Sequence, residues 1–167
     1  MPRASNQPGG HVQHVAVAAD LSAVLHPVGD LEPPRPDARA QVEERSLSVV
    51  VDVDPPDLTL TADPALIDQV LVNLALNAVQ AVENQEEGRI ELRAHVDRRS
   101  HPVIRVGNNG PGIPPDVQEK IFVPFFTTKE DGSGIGLSLS RRIMRLHGGS
   151  LSVRSSPEAG TTFTLRF

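Results

Sequence analysis

The sequence contains no cysteine, no tryptophan and no tyrosine, and it has only five phenylalanines among its 167 residues. The absence of cysteine excludes disulfide bonds and thiolate metal sites. The scarcity of aromatic rings leaves few surfaces on which the bases of a single-stranded nucleic acid could stack. The net charge of −5 also opposes a broad electrostatic grip on a phosphate backbone. We therefore expect no nucleic-acid partner.

Long apolar runs are missing as well. No stretch approaches the roughly 20 residues that a membrane-spanning helix needs, and residues 1–10 lack the charged-then-apolar order of a secretory signal. These features predict a soluble, cytoplasmic chain that makes no membrane contact. The length of the chain is sufficient for one domain with a buried core, plus a tail.

The first 40 residues show little of the patterning that a packed core requires. The stretch from Val12 to Leu25 is the exception, since it is apolar enough to form a short helix or strand that docks on another surface. We therefore predict a flexible linker or tail over residues 1–40, with a short docking element. Its second half is interrupted by residues that break helices and remove strand donors, namely Pro27, Gly29, Pro33, Pro34 and Pro36.

The six histidines do not form a recognisable metal or phosphoacceptor site in the sequence. His11 and His14 have no third ligand nearby and no carboxylate that would orient their rings, so we interpret them as solvated side chains. The other four are scattered without ligand spacing, and we interpret them as structural: His26, His95, His101 and His147.

From Asp37 onwards, the apolar pattern predicts alternating helices and strands. Asp63 is a good N-cap and Pro64 a good first helical residue, so the most regular helix begins there and runs to Val82. This helix is apolar nearly all round, which predicts burial. The other predicted elements are helices over Asp37–Arg45, Asp116–Ile121 and Ile135–Leu146, and strands over Leu47–Val53, Leu58–Ala62, Arg89–Val96, Val103–Val106, Leu151–Ser155 and Thr161–Phe167.

Asn73 and Asn77 interrupt the apolar helix with two amides on one face. They are four residues apart and share a stripe with Gln80, so their side chains project in the same direction. A buried amide must be hydrogen-bonded or bound to a ligand. Two interpretations follow: the amides cap neighbouring backbone in the core, or this face of the helix is turned to a ligand or metal.

Two glycine-rich turns point to a phosphorylated ligand. Gly107–Ile113 reads GNNGPGI and Gly132–Leu137 reads GSGIGL, and an aromatic segment, Phe122–Lys129, lies between them. Glycine lets backbone N–H groups approach phosphate oxygens, and the second turn runs into a helix whose start adds unpaired donors and a positive dipole end. These features predict a nucleotide site.

Together, the segments from about Leu58 to Phe167 resemble the catalytic, ATP-binding domain of sensor histidine kinases of the nitrogen-regulation type. This family shares a superfamily with type II topoisomerases, a heat-shock chaperone and mismatch-repair ATPases. The resemblance rests on five motifs in order: an N box at Asn73–Ala78, a glycine box at Asn109–Ile113, a phenylalanine box at Ile121–Lys129, a second glycine box at Gly132–Leu137, and Gly160–Phe163.

The resemblance implies a Bergerat-type α+β fold over residues 41–167. In this fold, a two-layer sandwich, helices cover one face of a mixed, mostly antiparallel sheet. It also implies ATP and Mg²⁺ as cofactors, with Asn77 holding the metal and Lys129 a flexible charge near the phosphates. The implied nucleotide-binding set consists of Asn73, Asn77, Asn108, Gly110, Gly112, Ile113, Thr128, Lys129, Gly132, Gly134, Ile135, Gly136, Leu137 and Thr161.

Asn73 carries a further implication of the resemblance. In the hydrolytic relatives, the residue four positions before the metal-binding asparagine is a glutamate that activates water. An amide cannot accept that proton at neutral pH. We therefore expect the site to hold ATP for transfer to a partner, with no appreciable ATPase activity of its own.

Asn108 departs from the family pattern, which has an aspartate there that accepts a hydrogen bond from the adenine amino group. The amide oxygen could accept the same bond, or the NH₂ group could donate to another base edge. Replacing a charge-assisted bond by a neutral one weakens the contact by about 1–3 kcal/mol. Three interpretations stay open: a natural kinase that tolerates asparagine, an impaired variant, natural or engineered, or a pocket adapted to another base.

The family's phosphoacceptor is also missing from this sequence. It lies in a helical dimerisation domain, as a histidine followed by an acidic residue and, soon after, proline. The segment from His11 to Val15 does not resemble it. We expect a protein histidine kinase domain that does not autophosphorylate alone, with a histidine-containing dimerisation domain as partner and, indirectly, a response regulator. The alternatives are a degenerate nucleotide-binding or protein-interaction module, and a serine kinase of the anti-sigma type.

Overall fold

The computed structural model describes residues 13–17, 46–129 and 132–167. The helix predicted over Asp37–Arg45, together with His11 and His26, lies outside these ranges. In chain order, the described elements are β1 (Gln13–Ala16), β2 (Ser46–Asp54), β3 (Thr59–Ala62), α1 (Pro64–Val82), β4 (Glu87–Val96), β5 (Pro102–Asn108), α2 (Pro115–Gln118), α3 (Gly136–Leu146), β6 (Ser150–Ser156) and β7 (Gly160–Arg166).

A five-stranded sheet in the order β2-β4-β5-β7-β6 forms one layer of the domain. Only the β2–β4 pair is parallel, and the other neighbours are antiparallel. On β4, Ile90, Leu92 and Ala94 are buried while the alternating residues are more exposed, which is the pattern of a sheet covered on one face. The predicted α+β sandwich with a mixed, mostly antiparallel sheet is therefore confirmed.

The register of the sheet brings polar residues into one row at its end. Cα pairing places Ile90 opposite Asn108, Asn108 opposite Thr161, and Thr161 opposite Ser155. The neighbouring row on the same face is apolar and includes Val106. Because side chains two residues apart share a face, the hydrophobic core ends where this polar row begins.

Helix α1 begins and ends where the sequence predicts. Asp63 caps it by accepting a hydrogen bond from the Leu66 N–H through Oδ1 at 3.2 Å, and Pro64 occupies the first turn. The prediction of burial all round was wrong, since Val72 is 41% and Leu76 52% exposed. The reason is that the sheet covers only one side of the helix.

Helix α1 passes a simple test for a membrane span, so the expectation that no stretch approaches the required length was wrong, although α1 is a core helix. It has 19 residues and a mean hydropathy of 1.5, enough to cross a membrane by length and composition alone. Its inner face is nonetheless packed in the hydrophobic core, with residues such as Ile67, Leu71 and Leu74 almost fully buried. Packing against β4, β5 and α3 accounts for its apolar composition.

The segment around Val15 docks on the domain as a strand. β1 pairs antiparallel with β3, and Val15 and Val17 are buried in the core. β1 lies within the stretch from Val12 to Leu25, of which Val12 and residues 18–25 lie outside the described ranges. The division of the chain at residues 40 and 41 stays a prediction.

His147 joins the start of α1 to the end of α3. Its Nε2 accepts a hydrogen bond from the Asp63 backbone N–H at 3.1 Å, and its Nδ1 donates to the Ile143 carbonyl at 2.9 Å. Both ring nitrogens are thus used within the fold, which confirms the structural interpretation of this histidine. His14 is exposed, as predicted.

Helix α2 is shorter than predicted. It ends at Gln118, whereas the sequence predicted helix from Asp116 to Ile121. The N–H groups of Lys120 and Ile121 both donate to the Val117 carbonyl, so the chain tightens into a turn before it reaches the aromatic segment.

Candidate nucleotide-binding site

A cavity of about 940 Å³ opens between α1, the end of the sheet, the aromatic segment Phe122–Lys129 and the start of α3. Its volume lies at the upper end of the range for small-molecule sites, roughly 300–1,000 Å³. Of the predicted nucleotide-binding residues, all but Gly110 and Ile135 line this cavity. Residues separated by up to about half the chain are therefore brought together on one concave surface.

Gly110 and Ile135 support the cavity without lining it. The Gly110 N–H donates to the side chain of Asn108, and a Cβ atom on Gly110 would lie 2.5 Å from the Ala81 carbonyl oxygen. Glycine is therefore required where this turn passes α1. Ile135 is 42% exposed and precedes α3, where its carbonyl accepts a bond from the Ser138 hydroxyl.

The α1 side of the cavity presents two amide oxygens to one cation. Lys129 Nζ donates to Asn77 Oδ1 at 2.9 Å and also to Gln80 Oε1. Asn77 and Gln80 are three residues apart, so they are neighbours on the helix surface. The ammonium loses part of its hydration there, and this desolvation lowers the pKa of Lys129.

Asn73 ties α1 to the start of α3. Its Nδ2 donates to Ser140 Oγ at 3.0 Å, and Ser140 Oγ in turn donates to the Gly136 carbonyl at 2.9 Å. A Cβ atom on Gly136 would collide with Asn73 Oδ1, so the two helices approach closely at this point. The interpretation of a core amide that binds neighbouring structure fits Asn73, although this residue also borders the cavity.

Asn108 and Thr161 form a buried polar pair at the inner end of the cavity. Asn108 is 8% exposed, and its Oδ1 accepts the Gly110 N–H at 3.0 Å. A backbone N–H can only donate, so this bond fixes the amide orientation. Within the described residues, Asn108 Nδ2 then has no hydrogen-bond partner.

Thr161 presents the complementary group beside Asn108. Ser155 Oγ donates its single proton to the Gly160 carbonyl at 3.0 Å, so at 2.7 Å the Thr161 hydroxyl must donate to Ser155. The free lone pairs of Thr161 can therefore accept a hydrogen bond from a ligand. The sheet end thus offers one donor and one acceptor on adjacent strands.

The second glycine turn carries backbone donors toward the cavity. Gly134 has φ +66°, and a Cβ atom there would lie 2.5 Å from the Phe125 carbonyl carbon. Phe125 N–H donates to the Gly134 carbonyl at 2.9 Å, which holds this turn against the aromatic segment. Among the residues that the structure describes, no side chain caps α3, so the N–H groups of its first turn are available to an anion.

Several residues that line the cavity were not assigned from the sequence. Gln80 is one that the sequence could have indicated. It follows Asn77 by three residues in a predicted helix, so helix geometry alone places the two side chains next to each other. Some of the others lie inside the predicted motifs, although they were not assigned as contacts: Pro111, Ile121, Phe126, Thr127, Ser133 and Phe163. The rest are brought to the cavity by packing alone: Ala81, Glu83, Asn84 and Val117.

Comparison with known proteins supports the interpretation of the fold and the cavity. The sequence model described as "Histidine kinase-, DNA gyrase B-, and HSP90-like ATPase" matches residues 62–167. The chain is 46% identical over 106 residues to the signal transduction histidine-protein kinase AtoS of Escherichia coli (strain K12), covering 64% of the chain and 17% of AtoS. It is 34% identical over 133 residues to the sensory histidine kinase/phosphatase NtrB of Vibrio alginolyticus, covering 73% of the chain and 37% of NtrB.

Solved structures agree with the sequence comparisons. The catalytic domain of histidine kinase ThkA has a TM-score of 0.76 and 29% identity, covering 94% of this chain and 97% of the other. Full-length ShkA in complex with AMPPNP has a TM-score of 0.74 and 26% identity, and the match covers 95% of this chain and 31% of the ShkA chain. ThkA in complex with response regulator protein TrrA has a TM-score of 0.71 and 28% identity, and the match covers 93% of this chain and 41% of the other chain.

The chain spans about a fifth to two fifths of the length of these two curated relatives. The family match, by contrast, covers more than half of the chain and includes both glycine turns and the asparagines of α1. The chain therefore belongs to the family of histidine kinase-, DNA gyrase B- and HSP90-like ATPases, and within it to the catalytic domains of sensor histidine kinases.

Proposed function

We propose that this domain binds ATP with Mg²⁺ and positions the γ-phosphate for attack by a histidine on a separate dimerisation domain. One observation carries the proposal. A single cavity has amide oxygens of α1 on one wall, a glycine turn with an uncapped helix start on another, and a buried polar pair at its inner end. These are complementary to a metal, a chain of phosphates and a base.

The residues of each wall have separate roles in this proposal. Asn108 and Thr161 face the edge of the purine, with residue 108 against its 6-position. Backbone N–H groups of the second glycine turn and of the start of α3, such as those of Gly134 and Gly136, receive the phosphate oxygens, because glycine permits close approach and the helix dipole favours negative charge. Lys129 contributes a mobile positive charge on the same side.

The residues present fit a magnesium ion on the α1 wall. Asn77 Oδ1 already accepts a hydrogen bond from the positively charged ammonium group of Lys129, so a positive charge beside this oxygen is compatible with the fold. Mg²⁺ takes few protein ligands and keeps waters and phosphate oxygens, which suits a site with neutral amides. When bound, the ion would neutralise charge on the phosphates during transfer.

The phosphoacceptor is expected from a partner. None of the histidines in the described part of the chain lines the cavity. Asn73 cannot serve as a base for water, because its amide has no proton-accepting nitrogen and is engaged with Ser140. Catalysis by this domain would therefore consist of positioning and charge stabilisation, and a response regulator would receive the phosphoryl group later. We expect these steps to take place in the cytoplasm.

The direct test is calorimetry of the full chain with AMPPNP, with and without Mg²⁺, followed by incubation with γ-labelled ATP and the dimerisation domain. We expect Mg²⁺-dependent binding and acid-labile label on the dimerisation domain only. Phosphohistidine on the isolated chain would contradict the proposal, and so would a failure to bind any nucleotide. Acid-stable label on a serine of a partner would instead support a serine kinase.

A second candidate is a degenerate module that signals by protein contact, and Asn108 is the observation that favours it. In that case AMPPNP would bind only to the Asn108→Asp variant. Binding by both proteins would exclude this alternative, since it would mean that the pocket with Asn108 is competent.

A further inference from the structure

We propose that Gln80 holds the divalent cation together with Asn77, and that Lys129 occupies the same position until the cation arrives. The inference rests on the proposed function, because it adds a residue to the metal side of the nucleotide site. It assigns Gln80 a role in positioning the metal and Lys129 a place in the exchange of positive charge.

The observation behind the proposal is the convergence of two oxygens on one cation. Asn77 Oδ1 and Gln80 Oε1 both accept hydrogen bonds from Lys129 Nζ, although the lysine is 52 and 49 residues away in sequence. The two amides come from one helix, so the spacing of their Cα atoms is set by α1 and does not depend on the segment that carries Lys129. Amide oxygens are hard ligands of the kind that Mg²⁺ accepts.

The ammonium and the metal cannot both use these oxygens. A cation that binds to Asn77 and Gln80 must displace Lys129, which lies in the segment next to the second glycine turn. The released ammonium then remains beside the phosphates, where it can donate to their oxygens. The site thus has a positive charge before and after the metal binds. The lysine supplies it in the free protein, and the metal supplies it afterwards, with the lysine nearby.

The alternative is that Gln80 is an exposed surface amide that contacts Lys129 without any role toward a metal. Gln80 is more exposed than Asn77, so this alternative has to be tested directly. The two interpretations differ in one measurable quantity. Only the proposed role predicts that loss of the Gln80 oxygen weakens the metal-dependent part of nucleotide binding and leaves the metal-independent part unchanged.

The test uses the full chain, AMPPNP and either Mg²⁺ or excess EDTA. Gln80→Leu removes the oxygen at similar volume, and Gln69→Leu is the matched control, since Gln69 is exposed on the same helix and does not line the cavity. We expect Gln80→Leu to weaken AMPPNP binding on the order of 10-fold in Mg²⁺ and not in EDTA. The control should match the unmodified chain in both conditions.

A second arm measures binding of Mn²⁺ alone by electron paramagnetic resonance. We expect Lys129→Met to bind Mn²⁺ more tightly than the unmodified chain, because the competing ammonium is gone, and Gln80→Leu in that background to reverse the gain. Equal Mn²⁺ binding by Lys129→Met and the double variant would overturn the role of Gln80, as would equal loss of AMPPNP binding with and without Mg²⁺. Failure of every protein to bind AMPPNP would contradict the proposed function, while the Mn²⁺ arm would still decide on Gln80.

Discussion

Replacing Asn108 by aspartate is expected to tighten the binding of ATP. The side chain lies at the inner end of the cavity and is 8% exposed, so its contacts with a base are largely shielded from water. Its oxygen is held by the Gly110 N–H, which leaves the NH₂ group to face the ligand. The amino group of adenine is itself a hydrogen-bond donor, so the Asn108 NH₂ group cannot bond to it. A carboxylate oxygen at this position would accept a hydrogen bond from the amino group.

The magnitude follows from the change in the type of hydrogen bond. In this orientation the Asn108 amide makes no hydrogen bond with the adenine amino group, whereas a bond to a charged acceptor contributes about 1.5–3 kcal/mol, from which the desolvation cost of the buried carboxylate is subtracted. Asn108→Asp should therefore improve the free energy of ATP binding by about 1–2 kcal/mol, or roughly 5- to 30-fold in the dissociation constant. The buried carboxylate costs desolvation energy, but the Gly110 N–H remains as its partner in both the free and the bound protein.

The assay is calorimetric titration with ATP and with inosine triphosphate, each in Mg²⁺. The two ligands differ at the 6-position of the purine, where inosine has a carbonyl oxygen that accepts instead of donating. The substitution should strengthen ATP binding and weaken binding of inosine triphosphate. Asn84→Asp is the control, because it adds the same charge at an exposed position of the cavity wall.

Two results would refute this reasoning. If Asn108→Asp changed the affinity for both nucleotides equally, the side chain would act through general electrostatics and not through the base edge. If the substitution left ATP binding unchanged, residue 108 would not contact the base at all. If Asn84→Asp changed the two affinities in the same way as Asn108→Asp, the effect would again be one of general electrostatics.

Three further predictions concern the turns and the helix contacts of the fold. Gly134→Ala should abolish most nucleotide binding, because its Cβ atom would strike backbone. Gly148→Ala should bind normally, since Gly148 has a similar φ of +71° and no described residue lies within 4 Å of the added Cβ atom; calorimetry of both variants separates the collision from the backbone strain. His147→Ala should lower the free energy of unfolding by about 1–3 kcal/mol in urea denaturation, since it leaves a helix-start N–H without its acceptor, while His101→Ala should lower it less. The backbone N–H of His101 lowers the pKa of Asp97, so the stabilisation is complete above the ordinary value near 4 and is lost as the pH falls through the lowered value; Asp97→Asn should destabilise the protein at neutral pH, and the difference should disappear in acid unfolding curves.

Much of the fold could be predicted because its signals are local. The start of α1 is defined by the cap at Asp63 and by the proline that follows it. The capping hydrogen bond joins Asp63 to Leu66, only three residues further along the chain. The order of the glycine turns and of the asparagines on α1 indicated the family before any packing was known. Strand positions were correct to within about two residues for the same reason.

The errors occurred where burial depends on neighbours. An apolar helix can be covered on one side or on all sides, and only the layer arrangement decides between them, which is why Val72 and Leu76 were wrongly expected to be buried. Helix α2 also ended early, because competing bonds to one carbonyl form a turn that its sequence does not distinguish from a helix.

The sequence by itself determined which residues carry amides, glycines and positive charge, and therefore that a nucleotide is the ligand to expect. Only the tertiary structure decided that the lysine meets Asn77 and Gln80, and that Gly110 orients the amide of Asn108. The physical reason is distance along the chain. Local conformation follows from contacts over a few residues, whereas contacts across 49 or 52 residues depend on how α1, the sheet and the second glycine turn pack together.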